Sequence, residues 1–170
     1  AYDSVPREAV WRAAARLGVP AAFIDAARRL GARPRARVLV NGVLSDAVAL
    51  QRGVRQGCPL SPFLFDLFVE PLRQALDNVR HLGCALTPVA AGNPVMSSNA
   101  AYLDDFATFA SSGHAAAHMD MLVRRFAGAF AMQINERKTV VIPHSAHSDL
   151  APLPADYRRL GMDETARYLG

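Results

Sequence analysis

Apolar positions recur along this chain with two different periods, and the places where the period changes outline its elements. Residues 4–18 repeat at helical spacing: Val10, Ala14 and Leu17 fall on one stripe, Asp3 and Ser4 can cap it, Pro6 suits a first turn and Gly18 ends it. Residues 20–30 predict a second helix, with Phe23, Ala27 and Leu30 on one face and Gly31 after it. The pattern then switches. In "RVLVNGVLSD", Asn41-Gly42 sits between two short runs rich in Val and Leu, a strong signal for a hairpin over about 36–50. "LQRGVRQGCPLSP" has two glycines and two prolines and reads as a shaped loop. From Ser61 helical spacing returns through Phe65, Phe68, Val69, Leu72, Leu76 and Val79, with Pro71 expected to kink or break the helix.

Residues 83–98 read as loop around a short strand, and 99–110 as strand, turn, strand with Asp104 and Asp105 at the turn. A further amphipathic helix runs over 112–132 through Met119, Leu122, Phe126 and Phe130. "INERKTVVIP" gives a turn and a strand beginning near Lys138, and the stretch 144–167 reads as a polar tail with Pro152 and Pro154. Helices interleaved with antiparallel pairs predict an α+β fold, with helices on one face of an antiparallel sheet. No repeat and no internal boundary is visible, so 1–170 reads as one unit.

Composition adds limits. With 51% hydrophobic and 20% charged residues the chain can bury a core, and no apolar run approaches the length of about 18 residues that a membrane span needs. No secretory signal is seen, and no membrane partner is expected. Cys58 and Cys84 lie outside any CxxC pattern and read as reduced thiols. The pairs His114/His118 and His144/His147 lack supporting Cys or carboxylate spacing for a metal. The net charge of +4 comes almost entirely from arginine, and Lys138 is the sole lysine. The cluster Arg28, Arg29, Arg33, Arg35 and Arg37 is either a solvated face or a nucleic-acid contact.

The acidic pair in "AAYLDDFATFA" poses a sharper choice. Adjacent carboxylates repel unless solvent or a cation separates them. A solvated turn is one reading, and a magnesium site the other, since magnesium takes hard oxygen ligands and shares them with substrate phosphates.

The surrounding blocks bear on that choice. "GVRQGCPLSPFLFDLFVEPL" (53–72), then "AYLDDF" (101–106), then "INERKT" (134–139) resembles the reverse transcriptase palm, most nearly that of the non-LTR (LINE-type) retrotransposon enzymes. The opening "AYDSVPREAVW" resembles the end of that family's first block, and the final "YLG" the start of the block leading to the primer grip. The likeness runs in order over nearly all 170 residues.

The resemblance implies a palm-type antiparallel sheet truncated at both ends, with a fingers-proximal hairpin and without most of the fingers and the thumb. It implies an RNA-directed DNA polymerase that moves a nucleotide from a dNTP to a DNA primer or target end on an RNA template. Two magnesium ions, or manganese in their place, would be held by Asp104 as main ligand and Asp105 as partner. Tyr2 matches the aromatic residue under the incoming sugar, whose ring excludes a ribose 2′-OH. Gln56 and Gly57 match positions near the incoming nucleotide and template, and Arg55 is a phosphate contact. Lys138 matches a lysine near the triphosphate that stabilises or protonates the leaving pyrophosphate. A nuclear site of action also follows from the resemblance, and no oligomeric state does.

One departure stands out. The family's first-block metal aspartate would lie four residues before Ala1, and Asp3 is that block's trailing acid, not the ligand. The expectation is therefore that these 170 residues by themselves have no polymerase activity. Two rivals remain: a non-catalytic nucleic-acid-binding relic, and a group II intron type reverse transcriptase. The second usually reads "PQGxxxSP" where this chain has "RQGCPLSP".

Overall fold

The fold was derived from a computed structural model, which describes residues 2–86, 95–102, 105–145, 148–161 and 163–164. The chain divides into two compact units, 1–70 and 71–170.

The first unit opens with a 3-10 turn, Tyr2–Ser4, followed by α1 (Arg7–Arg16) and α2 (Ala21–Leu30). Pro6 takes the capping position of α1 and Asp3 lies back in the 3-10 turn, so the helix starts later than the expected Ser4 and has no side-chain cap. Proline at this point has a preset φ and loses no helical hydrogen bond. Val10, Trp11, Ala13 and Ala14 of α1 are buried, as are Ile24 and Ala27 of α2. The expected α2 face is rotated: Phe23 is 40% exposed and Leu30 83%. Position 24 lies three residues before Ala27, so the buried stripe runs one residue later than the sequence suggested.

The hairpin forms as expected. β2 (Leu39–Val40) pairs antiparallel with β3 (Val43–Leu44) around Asn41-Gly42, whose φ values of 49° and 81° suit a type I′ turn. β1 (Arg35–Ala36) and β4 (Val48–Ala49) continue the same ribbon beyond a break in pairing. Its large apolar side chains, Val38, Leu39, Val40, Val43, Leu44 and Val48, are exposed.

α3 (Ser61–Asn78) is one helix with Pro71 inside it. The expected break does not occur. Proline costs about 3 kcal/mol in a helix interior. Burial of Phe65 and Phe68 before it, and of Leu72 and Leu76 after it, offsets that cost.

In the second unit, β5 (Cys84–Leu86) pairs antiparallel with β6 (Val95–Ser97), and β7 (Asn99–Tyr102) with β8 (Asp105–Thr108). α4 (Gly113–Ala129) is capped by Ser112, whose hydroxyl accepts from the Ala115 N–H. Leu72, Leu76 and Met119 form a core on which Phe106, Leu122, Val123 and Phe126 pack. A 3-10 turn, Glu136–Lys138, precedes β9 (Val140–Val141), so Lys138 ends a turn two residues before the strand. β9 pairs in parallel with β10 (Arg158–Arg159). The stretch that reads as a polar tail thus supplies a strand, and it buries Leu153, Tyr157 and Leu160. The described strands form five two-stranded pairs in a mixed α+β chain.

Candidate functional site

Four of the expected site residues lie in the first unit. Tyr2 is half-buried, and its ring lies parallel to that of buried Phe65 at a centroid distance of 4.9 Å and 6° between planes. Its backbone carbonyl accepts from the Val54 N–H at 3.0 Å, and the Gly53 N–H donates to the Val5 carbonyl at 2.8 Å. The loop before α3 is thereby laid on the 2–5 segment. Gly53 has φ 90°, and a Cβ there would stand 3.0 Å from Asp3 Cα and 3.1 Å from the Tyr2 carbonyl oxygen. Only glycine meets both conditions without a shift.

Arg7 holds the same loop from the other side. Its Nη2 donates to the Leu50 and Gln51 carbonyls at 2.7 and 3.0 Å, and its Nη1 to those of Arg52 and Gly53 at 3.4 and 3.3 Å. Beyond the buried anchor Val54, the side chains of Arg55 and Gln56 are exposed. Gly57 has φ 82° and open space where a Cβ would project. The chain returns to α3 through the Cys58 N–H, which bonds the Arg55 carbonyl, and the Ser61 N–H, which bonds that of Cys58. The Leu60 backbone N–H holds the pKa of the Cys58 thiol below its ordinary value, with smaller help from Ser61 and Arg55.

The basic cluster divides by partner. An open cavity of about 450 Å³ is lined by Arg7, Arg28, Arg33 and Arg35 together with Glu8 and Trp11. Arg28 pairs with Glu8 at 3.3 Å and stacks on Trp11, 5.8 Å from the ring centroid. Arg33 and Arg35 show no ion pair or side-chain hydrogen bond among the described residues, which leaves two cations for an outside anion.

The other site residues belong to the second unit. The register pairs Tyr102 with Asp105, with Leu103 and Asp104 between them. Asp104 itself lies outside the described residues. Asp105 is exposed at the first position of β8. Strand alternation puts it on the face opposite Phe106, which packs on the Leu72–Leu76–Met119 core. The ribbon's base is tied down as well: Asn99 Nδ2 donates to Asp77 Oδ1 at 2.9 Å, and the Phe109 N–H to the Ser98 carbonyl at 2.9 Å. Among the described residues no three His, Cys, Asp or Glu side chains cluster as a metal site would. The Asp105 carboxylate, at the start of an anchored strand, is a hard oxygen donor of the kind magnesium takes.

Lys138 is exposed on its turn. Its N–H is bound by the Asn135 carbonyl at 3.0 Å and by Asn135 Oδ1 at 3.3 Å. Near it lies a group that sequence reading missed. Arg124 Nε donates to Asp120 Oδ2 at 2.7 Å, Nη1 to Glu136 Oε1 at 2.9 Å and Nη2 to the Tyr157 hydroxyl at 2.8 Å, while that hydroxyl donates to Asp120 Oδ1 at 2.5 Å. Burial first, then Asp120, pushes the Tyr157 phenol up to about 12. The i,i+4 spacing of Asp120 and Arg124 was visible, but nothing in sequence links them to Tyr157.

Comparison with known proteins bears on these blocks. The family described as "Reverse transcriptase (RNA-dependent DNA polymerase)" matches residues 1–170. A curated relative, "Retrovirus-related Pol polyprotein from type-2 retrotransposable element R2DM" of Drosophila melanogaster, is 29% identical over 112 residues, 66% of this chain. The match covers 10% of that protein's length, so this chain corresponds to a small part of it. A retrotransposon relative agrees with the non-LTR resemblance carried by the motifs. The chain belongs to the reverse transcriptase family.

Proposed function

We propose that this chain is the palm-type part of an RNA-directed DNA polymerase of a non-LTR retroelement, extending a DNA 3′ end from dNTPs on an RNA template. The observation that carries the reading is the β7–β8 ribbon: it pairs Tyr102 with Asp105 and is anchored by Phe106 and Asn99, and Asp104 directly precedes Asp105 in the sequence. Two magnesium ions, when bound, supply charge neutralisation and a Lewis acid for the attacking and leaving oxygens, and manganese can serve in their place. Asp104 and Asp105 would hold them.

The chain's own groups do the rest. Tyr2, seated on Phe65, presents a rigid ring edge under the sugar and rejects a 2′-OH by contact. The exposed Gln56 and the open space at Gly57 leave room for the incoming nucleotide and template base. Arg55 contacts phosphate, and Arg33 and Arg35 take the strand backbone. Lys138 offers an ammonium to the leaving pyrophosphate. The work is mainly positioning and charge stabilisation.

By the resemblance, a two-metal site of this kind also takes a carboxylate from a second strand. A nuclear site of action belongs to the same proposal.

The test is primer extension on an RNA template with magnesium, comparing the full protein that contains this chain with its Asp104→Ala variant. Loss of incorporation with unchanged template binding is expected. Equal incorporation overturns the assignment.

A further inference from the structure

The turn that carries Lys138 is held in two ways. Locally, Asn135 caps it: its carbonyl and Oδ1 accept from the Lys138 N–H, and its carbonyl also accepts from the Thr139 hydroxyl at 3.1 Å. These bonds shape the turn but do not fix where it stands relative to α4. A tether to α4 runs from Glu136, two residues before Lys138, to Arg124 Nη1 at 2.9 Å.

Arg124 is itself fixed along its other edges. Asp120 takes Nε, and the Tyr157 hydroxyl takes Nη2 while donating to the second Asp120 oxygen. The Tyr157 ring adds a face contact, 5.5 Å from the guanidinium carbon to the ring centroid. Tyr157 directly precedes β10, whose Arg158 N–H donates to the Thr139 carbonyl at 3.2 Å, one residue after Lys138. Lys138 is therefore bracketed. Glu136 before it bonds the Arg124 guanidinium directly, and Thr139 after it bonds the Arg158 N–H, next in the chain to the Tyr157 that bonds the same guanidinium. A guanidinium's rigid, planar fork suits this junction, whereas a lysine ammonium would bring a single mobile point of contact.

We propose that Arg124 is a positioning residue for Lys138: by tying Glu136 to α4 and to Tyr157, it sets where the Lys138 ammonium stands at the nucleotide's triphosphate. The inference rests on the role of Lys138 at the pyrophosphate proposed above. Misplacing such a group by a fraction of its reach forfeits part of its effect, up to the full loss seen when it is removed. A merely structural Arg124 would affect how much enzyme folds, not how fast each folded molecule works.

The experiment is single-turnover nucleotide incorporation by the full protein, with rates normalised to titrated active sites. Variants are Arg124→Met, Lys138→Ala, the double, and Glu136→Ala. Glu136→Ala cuts only the link to the turn and leaves Arg124, Asp120 and Tyr157 joined, so it keeps the test open if Arg124→Met folds poorly. The expected result is an incorporation rate about tenfold lower in Lys138→Ala and at least about fivefold lower in Arg124→Met and Glu136→Ala. Apparent dNTP affinity should change less than about twofold in the latter two. Glu136→Gln, which keeps an acceptor for Arg124, should restore most of the rate. Arg124→Met should not slow Lys138→Ala further in the double variant, because the lysine being positioned is gone.

Parental rates per active site in Arg124→Met and Glu136→Ala overturn the inference while leaving Lys138 in its role. So do losses that multiply with Lys138→Ala. A parental rate in Lys138→Ala overturns both the role of Lys138 and the inference built on it.

Discussion

Gly53→Ala probes the seating of the loop that leads to Arg55, Gln56 and Gly57. Two costs act together. The backbone at Gly53 has φ 90°, and an alanine pays about 1–2 kcal/mol there. The new Cβ also meets Asp3 Cα, the Asp3 carbonyl oxygen and the Tyr2 carbonyl oxygen at 3.0–3.1 Å. Backbone atoms cannot rotate away, and overpacking of this kind costs about 1–3 kcal/mol. Reduced freedom of the unfolded chain returns about 0.4–1 kcal/mol. The net expectation is a destabilisation of about 1–5 kcal/mol, or about 2–20 °C in melting temperature for a chain of this size. Gly18→Ala is the internal control: it has φ 79° with nothing within 4 Å of a Cβ, so it bears the conformational cost alone. Thermal denaturation of both variants against the parent isolates the steric part. Equal destabilisation by the two would show that the loop does not lie on the Tyr2–Asp3 backbone, and the support for a seated Tyr2 ring would go with it.

Three further outcomes are expected. Because folding raises the Tyr157 phenol to about 12 from an ordinary value near 10, the folded state holds a proton that the unfolded state has released. Stability from this group is complete below about pH 10 and is lost as pH rises toward 12; alkaline melts should show that decline, and Tyr157→Phe should abolish it. The lowered Cys58 thiol should react with iodoacetamide at a lower pH than a free cysteine does; a midpoint at or above the free-thiol value would contradict the Leu60 N–H bond to its sulfur. Reversing Arg33 and Arg35 to Glu should reduce the salt dependence of nucleic-acid binding by about 0.7–0.9 in slope for each phosphate no longer neutralised, with little change in melting temperature; an unchanged slope would return both arginines to the solvated face.

Local chemistry was legible in the sequence. Asn41-Gly42 demanded a hairpin because few other pairs accept two positive φ values in succession. Ser61-Pro62 opened α3, and the two runs that flank the acidic pair in sequence paired as β7 and β8. Each signal is contained within a few residues, so no distant part of the chain was needed to read it. The ordered blocks from Tyr2 to Lys138 carried the family for the same reason.

Tertiary structure decided the rest. Which α2 residues turn inward depends on what α1 presents, so Ile24 displaced Phe23 and Leu30 from the buried stripe. Pro71 stays inside a helix because burial of its neighbours outweighs its local cost. The parallel pairing of β9 with β10 joins segments whose connection includes the stretch that reads as a polar tail, and parallel partners leave no turn signature between them. Tyr157 shows the difference most plainly. In sequence it is one aromatic residue in a proline-containing tail; in the fold it reaches Asp120 and Arg124, 37 and 33 residues earlier, and closes the tether to Lys138's turn. The sequence by itself determined the residue types available for chemistry and the family they belong to. Only long-range packing, which assigns each side chain its neighbours, decided which residues hold them in place.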